Sequence, residues 1–113
     1  MKSYTDLEQS RKLTEILHLE SADMYYEPLD GFRTEPSEPM IGDIKYAHPR
    51  SIPCWSLAAL LSVIPNYKLS SEHNYHTCIA ETSFGKETVA WFDNPVDACY
   101  EMILKLYDEE TLH

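Results

Sequence analysis

Three residues of this 113-residue chain have the types and order that thiol chemistry needs. Cys54 stands at the head of an apolar run, where the dipole of a helix would lower its pKa and favour the nucleophilic thiolate. His76, or His73 just before it, would serve as the base, and Asp93 or Asn94 would orient the imidazole. Three features oppose this. Only 22 residues separate Cys54 from His76, a short path from a core helix to a catalytic strand. No Gln precedes Cys54 in a setting suited to oxyanion donation, and small residues are scarce around the thiol. The expectation is a buried structural thiol, with a Cys54/His76/Asp93 hydrolase as the alternative.

That alternative would follow the Cys, His, Asn/Asp order of papain-like enzymes. Metal chemistry has a second candidate: His73, His76 and Cys78 offer ligands within six residues. On a strand, His76 and Cys78 share a face while His73 points to the other. A structural zinc site needs four ligands and the fourth is missing, so no metal is expected, with His76 and Cys78 as the weak alternative. Three scattered glycines, Gly31, Gly42 and Gly85, make no phosphate-cradling loop, and no cofactor is expected. Nineteen acidic residues place carboxylates side by side by chance, so no pair is singled out as an acid–base couple.

Three cysteines without a C-x-x-C pair read as reduced thiols filling a core, in a cytoplasmic protein. The formal charge of −10 opposes a direct grip on nucleic acid phosphates. No apolar run approaches the ~18 residues of a membrane span, and no secretion signal is read at the start. The acids concentrate between 20 and 43, where Glu20, Asp23, Glu27, Asp30, Glu35, Glu38 and Asp43 face only Arg33. With the tail acids Asp108, Glu109 and Glu110 they would present a negative surface to a basic protein partner.

The elements that must position these groups follow from spacing. Residues 5–17 read as a helix capped by Thr5 with Glu8, carrying a narrow stripe of Leu7, Leu13, Ile16 and Leu17. Residues 28–49 hold four of the seven prolines and read as irregular, with short strands at 24–26 and 44–46. From Pro53 to Pro65 nearly every residue is apolar, so residues 55–64 are expected to form a central helix enclosed on all sides. Residues 67–69, 74–81 and 87–92 read as strands, the last two joined by a hairpin through Gly85. Asn94-Pro95-Val96-Asp97 opens a helix over 95–107. Val96, Cys99, Tyr100, Ile103, Leu106 and Tyr107 form its inner stripe, with Met102 beside it and a Glu101–Lys105 pair outside. The fold class is α+β: a small single domain over residues 1–113, a central buried helix and two amphipathic helices packed on a short antiparallel β-meander. Eight tyrosines make a homodimer plausible, since tyrosine favours surfaces apolar at one end and wet at the other.

Two segments carry a resemblance: Pro53-Cys54-Trp55-Ser56-Leu57-Ala58-Ala59-Leu60-Leu61, and residues 94–106, Asn94-Pro95-Val96-Asp97-Ala98-Cys99-Tyr100 onward. The openings Thr5-Asp6-Leu7-Glu8-Gln9-Ser10 and Glu20-Ser21-Ala22-Asp23-Met24-Tyr25-Tyr26 are similar in the same way. Together they resemble small uncharacterised proteins of prophages and mobile elements in gut Bacteroidales. That family implies a genomic setting and no activity, so no catalytic residue follows from it. The expectation is a non-enzymatic accessory protein acting by protein–protein contact, with a mimic of DNA phosphates that meets a basic host protein as a variant of the same idea.

Overall fold

The computed structural model describes residues 2–28, 38–72, 74–82 and 85–108. Three helices, α1 (Leu7–Thr14), α2 (Leu57–Val63) and α3 (Pro95–Asp108), combine with two three-stranded antiparallel sheets. The first sheet has the order β2-β1-β3, from β1 (Met24–Tyr26), β2 (Met40–Ile41) and β3 (Ile52–Cys54). The second, β4-β5-β6, is a meander of β4 (Lys68–Glu72), β5 (Tyr75–Thr82) and β6 (Gly85–Phe92). The α+β class expected from periodicity is the class observed.

α3 lies against the second sheet and supplies the largest share of the core. Val96, Ala98, Cys99, Met102, Ile103 and Leu106 are all fully buried, joined by Cys78 and Ala80 of β5. Leu13 of α1, Trp55, and Ala59 and Leu60 of α2 belong to the same cluster, whereas Tyr26 and Cys54, the buried residues of β1 and β3 beside Pro53, lie outside it. Asn94 caps α3 through Oδ1, which accepts from Asp97 N at 2.9 Å. Of the expected inner stripe, Tyr100 is half-buried and Tyr107 is exposed, although Leu106 beside it is fully buried.

Several local expectations are corrected. The first helix starts later than Thr5: Asp6 is its N-cap and Gln9 completes the capping box, while Thr5 turns inward. α2 is shorter than the apolar run and is not enclosed on all sides, since Ala58 and Ser62 are exposed. Pro53 and Cys54 belong to a strand, not to the helix, because they pair with Tyr25 and Met24 of β1. Residues 44–46 form a 3-10 turn closed by Asp43, whose side chain accepts from Lys45 N; the short strand is Met40–Ile41 instead. Lys105 pairs with Glu87 of β6 at 3.1 Å, not with Glu101, because the neighbouring strand brings a closer carboxylate.

Candidate functional site

Cys54 is fully buried at the end of β3, two residues before Ser56, the N-cap of α2. Around it lies a closed polar knot. Cys54 Sγ donates to Thr5 O at 3.4 Å, and Tyr26 OH donates to the same carbonyl at 2.8 Å. Thr5 Oγ1 lies 3.6 Å from Cys54 Sγ, shares a 2.8 Å hydrogen bond with Ser10 Oγ and accepts from Trp55 N at 3.1 Å. Thr5 N also donates to Trp55 O at 2.9 Å, which stitches the N-terminal segment alongside residues 55–57. Burial pushes the Cys54 thiol up despite the hydroxyls of Thr5, Ser10 and Tyr26, which favour the thiolate. Burial likewise raises Tyr26, the more so with Cys54 beside it. A thiol so placed packs and donates; it is not poised for attack.

The structure does not bring the proposed catalytic residues together. His76 lies in β5 of the other sheet, between Ser71 of β4 and Phe92 of β6. Asp93 is exposed just past β6, and Asn94 is occupied in capping α3. Among the described residues, the hydrogen-bonding partners of Cys54 are Thr5, Ser10 and Tyr26, with no imidazole among them. His73 lies outside the described residues. His76 and Cys78 do share a face of β5, but Cys78 is sealed in the core beside Cys99 while His76 is half-exposed. Among the described residues no group of three or more His, Cys, Asp or Glu side chains is placed to hold a metal ion. All three cysteines are free thiols and buried. No helix among the described residues is long and apolar enough to cross a membrane.

The acidic candidates divide. Asp23 is spent internally: Oδ1 accepts from Ser56 N at 2.9 Å and Oδ2 from Ser56 Oγ, fixing the entry to α2. Glu20, Glu27 and Glu38 are exposed. Asp30 and Glu35 lie outside the described residues, as do Glu109 and Glu110.

Spacing alone missed the face on which Glu20 sits. Leu19, Ile44, Ala47, Pro49 and Pro53 line a half-open groove of about 560 Å³, with Thr14, Ser51, Glu20, Asp43, Lys45 and His48 around it. Large apolar side chains are exposed on this part of the chain: Ile41 is 87% exposed, Tyr46 82%, Met40 46% and the lining residue Leu19 45%. Gly42 closes β2 at φ +154°, and its Cα faces the Tyr25 ring so closely that a Cβ would meet Cε1 at 3.3 Å. Gly42 N donates to Asp23 O at 3.0 Å, next to the pairing of Ile41 with Met24. The sequence signal was present in Met40-Ile41, an apolar pair between Pro39 and Gly42 in an otherwise polar stretch. The acids around it drew the reading elsewhere. Comparison with protein-family models, with curated proteins and with solved structures found no match.

Proposed function

We propose that this chain is a non-enzymatic accessory protein of a mobile element, acting by holding a protein partner on the face built from β2, the turn Ile44–Tyr46 and residues 47–53. One observation carries the reading: Ile41 of β2 and Tyr46 of the following turn stand 87% and 82% exposed, and that turn lines, through Ile44 and Lys45, a groove shared with Leu19, Pro49 and Pro53. Exposed apolar side chains scattered singly mean little, but Met40, Ile41 and Tyr46 fall within one short stretch and form the kind of patch that partners cover. The acids at its edge, Glu20 and Asp43, favour a partner segment that offers an apolar anchor flanked by Lys or Arg. The chain's charge of −10 steers the same class of partner towards it. The resemblance to mobile-element proteins supplies the setting, in which a small acidic protein meets a basic host protein.

The test compares immobilised wild type with Ile41→Asp and Tyr46→Ser in cell lysate from the source organism, with captured proteins identified by mass spectrometry. A protein retained by wild type and lost from both variants supports this face, provided both variants unfold at the same urea concentration as wild type. Identical capture by all three would remove it.

A further inference from the structure

Among the described residues the second sheet ends in an exposed edge strand, and its sequence is complementary to itself. β4 is the terminal strand of the order β4-β5-β6, and Lys68, Ser70, Ser71 and Glu72 are all exposed. Among the described residues, residues 68–71 make no backbone hydrogen bond outside their ladder with β5. Every second residue of such a strand turns its N–H and C=O away from the sheet, a template for another strand. Natural edges are commonly blunted by proline, by a bulge or by charged side chains, lysine above all. β4 has neither proline nor bulge, and its two charges, Lys68 and Glu72, are opposite in sign: it reads Lys-Leu-Ser-Ser-Glu, in unbroken register with β5 from Lys68↔Ile79 to Glu72↔Tyr75.

We propose that β4 pairs with β4 of a second copy of this chain, antiparallel about a two-fold axis through Ser70. This interface lies on the other sheet from the partner face argued above and does not rest on it. The register follows from charge. With Ser70 opposite Ser70 of the second copy, Lys68 falls opposite Glu72, and the two-fold repeats the pair at the other end. All five strand residues are matched, and Leu69 falls opposite Ser71. Shifting the axis by one residue leaves strand residues unmatched and breaks both charge pairs. Parity agrees as well: Lys68, Ser70 and Glu72 share one face of the sheet, opposite to the face on which Leu69 lies with buried Cys78. The product is a six-stranded sheet with both α3 helices on the same side. Tyr67 and Tyr75, 49% and 44% exposed, flank this edge and add apolar area near it. Five residues of edge pairing make a small interface, and two copies at −10 repel, so the dimer forms weakly and with rising concentration.

The deciding experiment is a cysteine scan of the edge in the full chain. Facing residues of an antiparallel pair have Cα atoms about 4.5–5.5 Å apart, within disulfide range. Ser70→Cys therefore gives a covalent dimer under mild oxidation, whereas Ser71→Cys, facing Leu69, stays monomeric on a non-reducing gel. Sedimentation equilibrium supplies the second arm. Lys68→Glu weakens association about tenfold, and adding Glu72→Lys restores it, because the reversed pairs again match. Circular dichroism checks that each variant keeps the wild-type fold. Equal cross-linking through residues 70 and 71, a wild type monomeric at every concentration, or a double variant as weak as the single one would each overturn the proposal.

Discussion

The two sheets are held in the molecule by different forces: strand residues of the second belong to the core cluster, and those of the first do not. β4-β5-β6 is backed by α3, whose buried Val96, Cys99, Met102, Ile103 and Leu106 press on Cys78 and Ala80. Its attachment is non-directional burial, roughly proportional to the apolar area removed from water. β2-β1-β3 has strands of two or three residues and hangs on directed bonds: Tyr26 OH to Thr5 O, Trp55 N to Thr5 Oγ1, Ser56 N to Asp23. α1 packs on β3, while β2 is exposed at both of its residues. The consequence is a division of labour. The sheet buried under α3 stabilises the molecule, and the first sheet keeps the side chains of Met40 and Ile41 exposed.

Thiol reactivity breaks this comparison open most sharply. Cys54 belongs to the first sheet, whereas Cys78 and Cys99 lie between the second sheet and α3, and all three are fully buried. Labelling by a thiol reagent at neutral pH is expected to be slower in the native chain than in urea by a thousandfold or more, an order-of-magnitude figure set by the cost of opening. Cys54 should label first of the three, since the first sheet opens with less apolar area to expose. Rapid stoichiometric labelling of native Cys54 would show an open path to the sulfur and revive the hydrolase alternative.

Apolar truncations test the same contrast thermodynamically. Leu106→Ala removes a fully buried side chain from α3 and should cost about 2–5 kcal/mol in urea unfolding. Ile41→Ala, at 87% exposure, should stay within about 0.5 kcal/mol of wild type. A loss at Ile41 comparable to that at Leu106 would mean that the chain itself covers this face in solution. Between these extremes falls Thr5→Val. It leaves the buried Trp55 N–H and the Ser10 hydroxyl short of a partner, at about 1–3 kcal/mol. Thr5→Ser, which keeps the hydroxyl, should recover most of that loss. If valine were neutral, the hydrogen bonds would not be what secures the first sheet.

The same division explains what could be read in advance. α3 and the strands of the second sheet declared themselves because repeated burial imprints a period on the sequence: Val96, Cys99, Ile103 and Leu106 at helical spacing, and alternation through Cys78 and Ala80. The first sheet left no period, since strands of two and three residues are too short to show one. Thr5 looked like a cap because threonine caps helices, yet its hydroxyl is taken up by residues 10 and 55, the latter contact one that local sequence does not announce. Pro53 suggested a helical first turn, and cross-strand pairing with Tyr25 overrode it. The burial of Cys54 was anticipated. Its reason was not: the apolar run places the thiol at the head of an enclosed helix, and a knot of hydroxyls is what surrounds it. The exposed face went unseen because exposure of a single Ile or Tyr is a property of packing partners, not of the residue itself.

The smallest expected effect concerns a polar cluster that ties the N-terminal segment to α3. Asp97 Oδ1 accepts from Lys2 Nζ at 2.8 Å and from Gln9 Nε2 at 2.8 Å, while Oδ2 accepts from Asn94 Nδ2 at 2.9 Å. Burial alone would raise the Asp97 carboxyl, but these donors outweigh it and hold the group below its usual 3.8. Lys2 is raised in turn, the hydrogen bonds to Asp97 and Asp6 outweighing a burial that would lower it. A carboxylate with a depressed folded-state pKa binds fewer protons native than unfolded. Its contribution is therefore whole above the unfolded value and drains away as pH falls through the lower native one. The lysine works in the opposite direction, its share being lost as pH rises through a native value above the usual 10.5. Both groups are partly solvated, with side chains 26% and 32% exposed, so the pair is worth less than about 1 kcal/mol. The stability gap between wild type and Asp97→Asn, followed by urea unfolding, should be open and flat near pH 6 and close as the solution becomes more acid than about pH 4. A gap that persisted unchanged into acid would mean that the charge on Asp97 does nothing, and that the N-terminal segment is docked by the Thr5 knot alone.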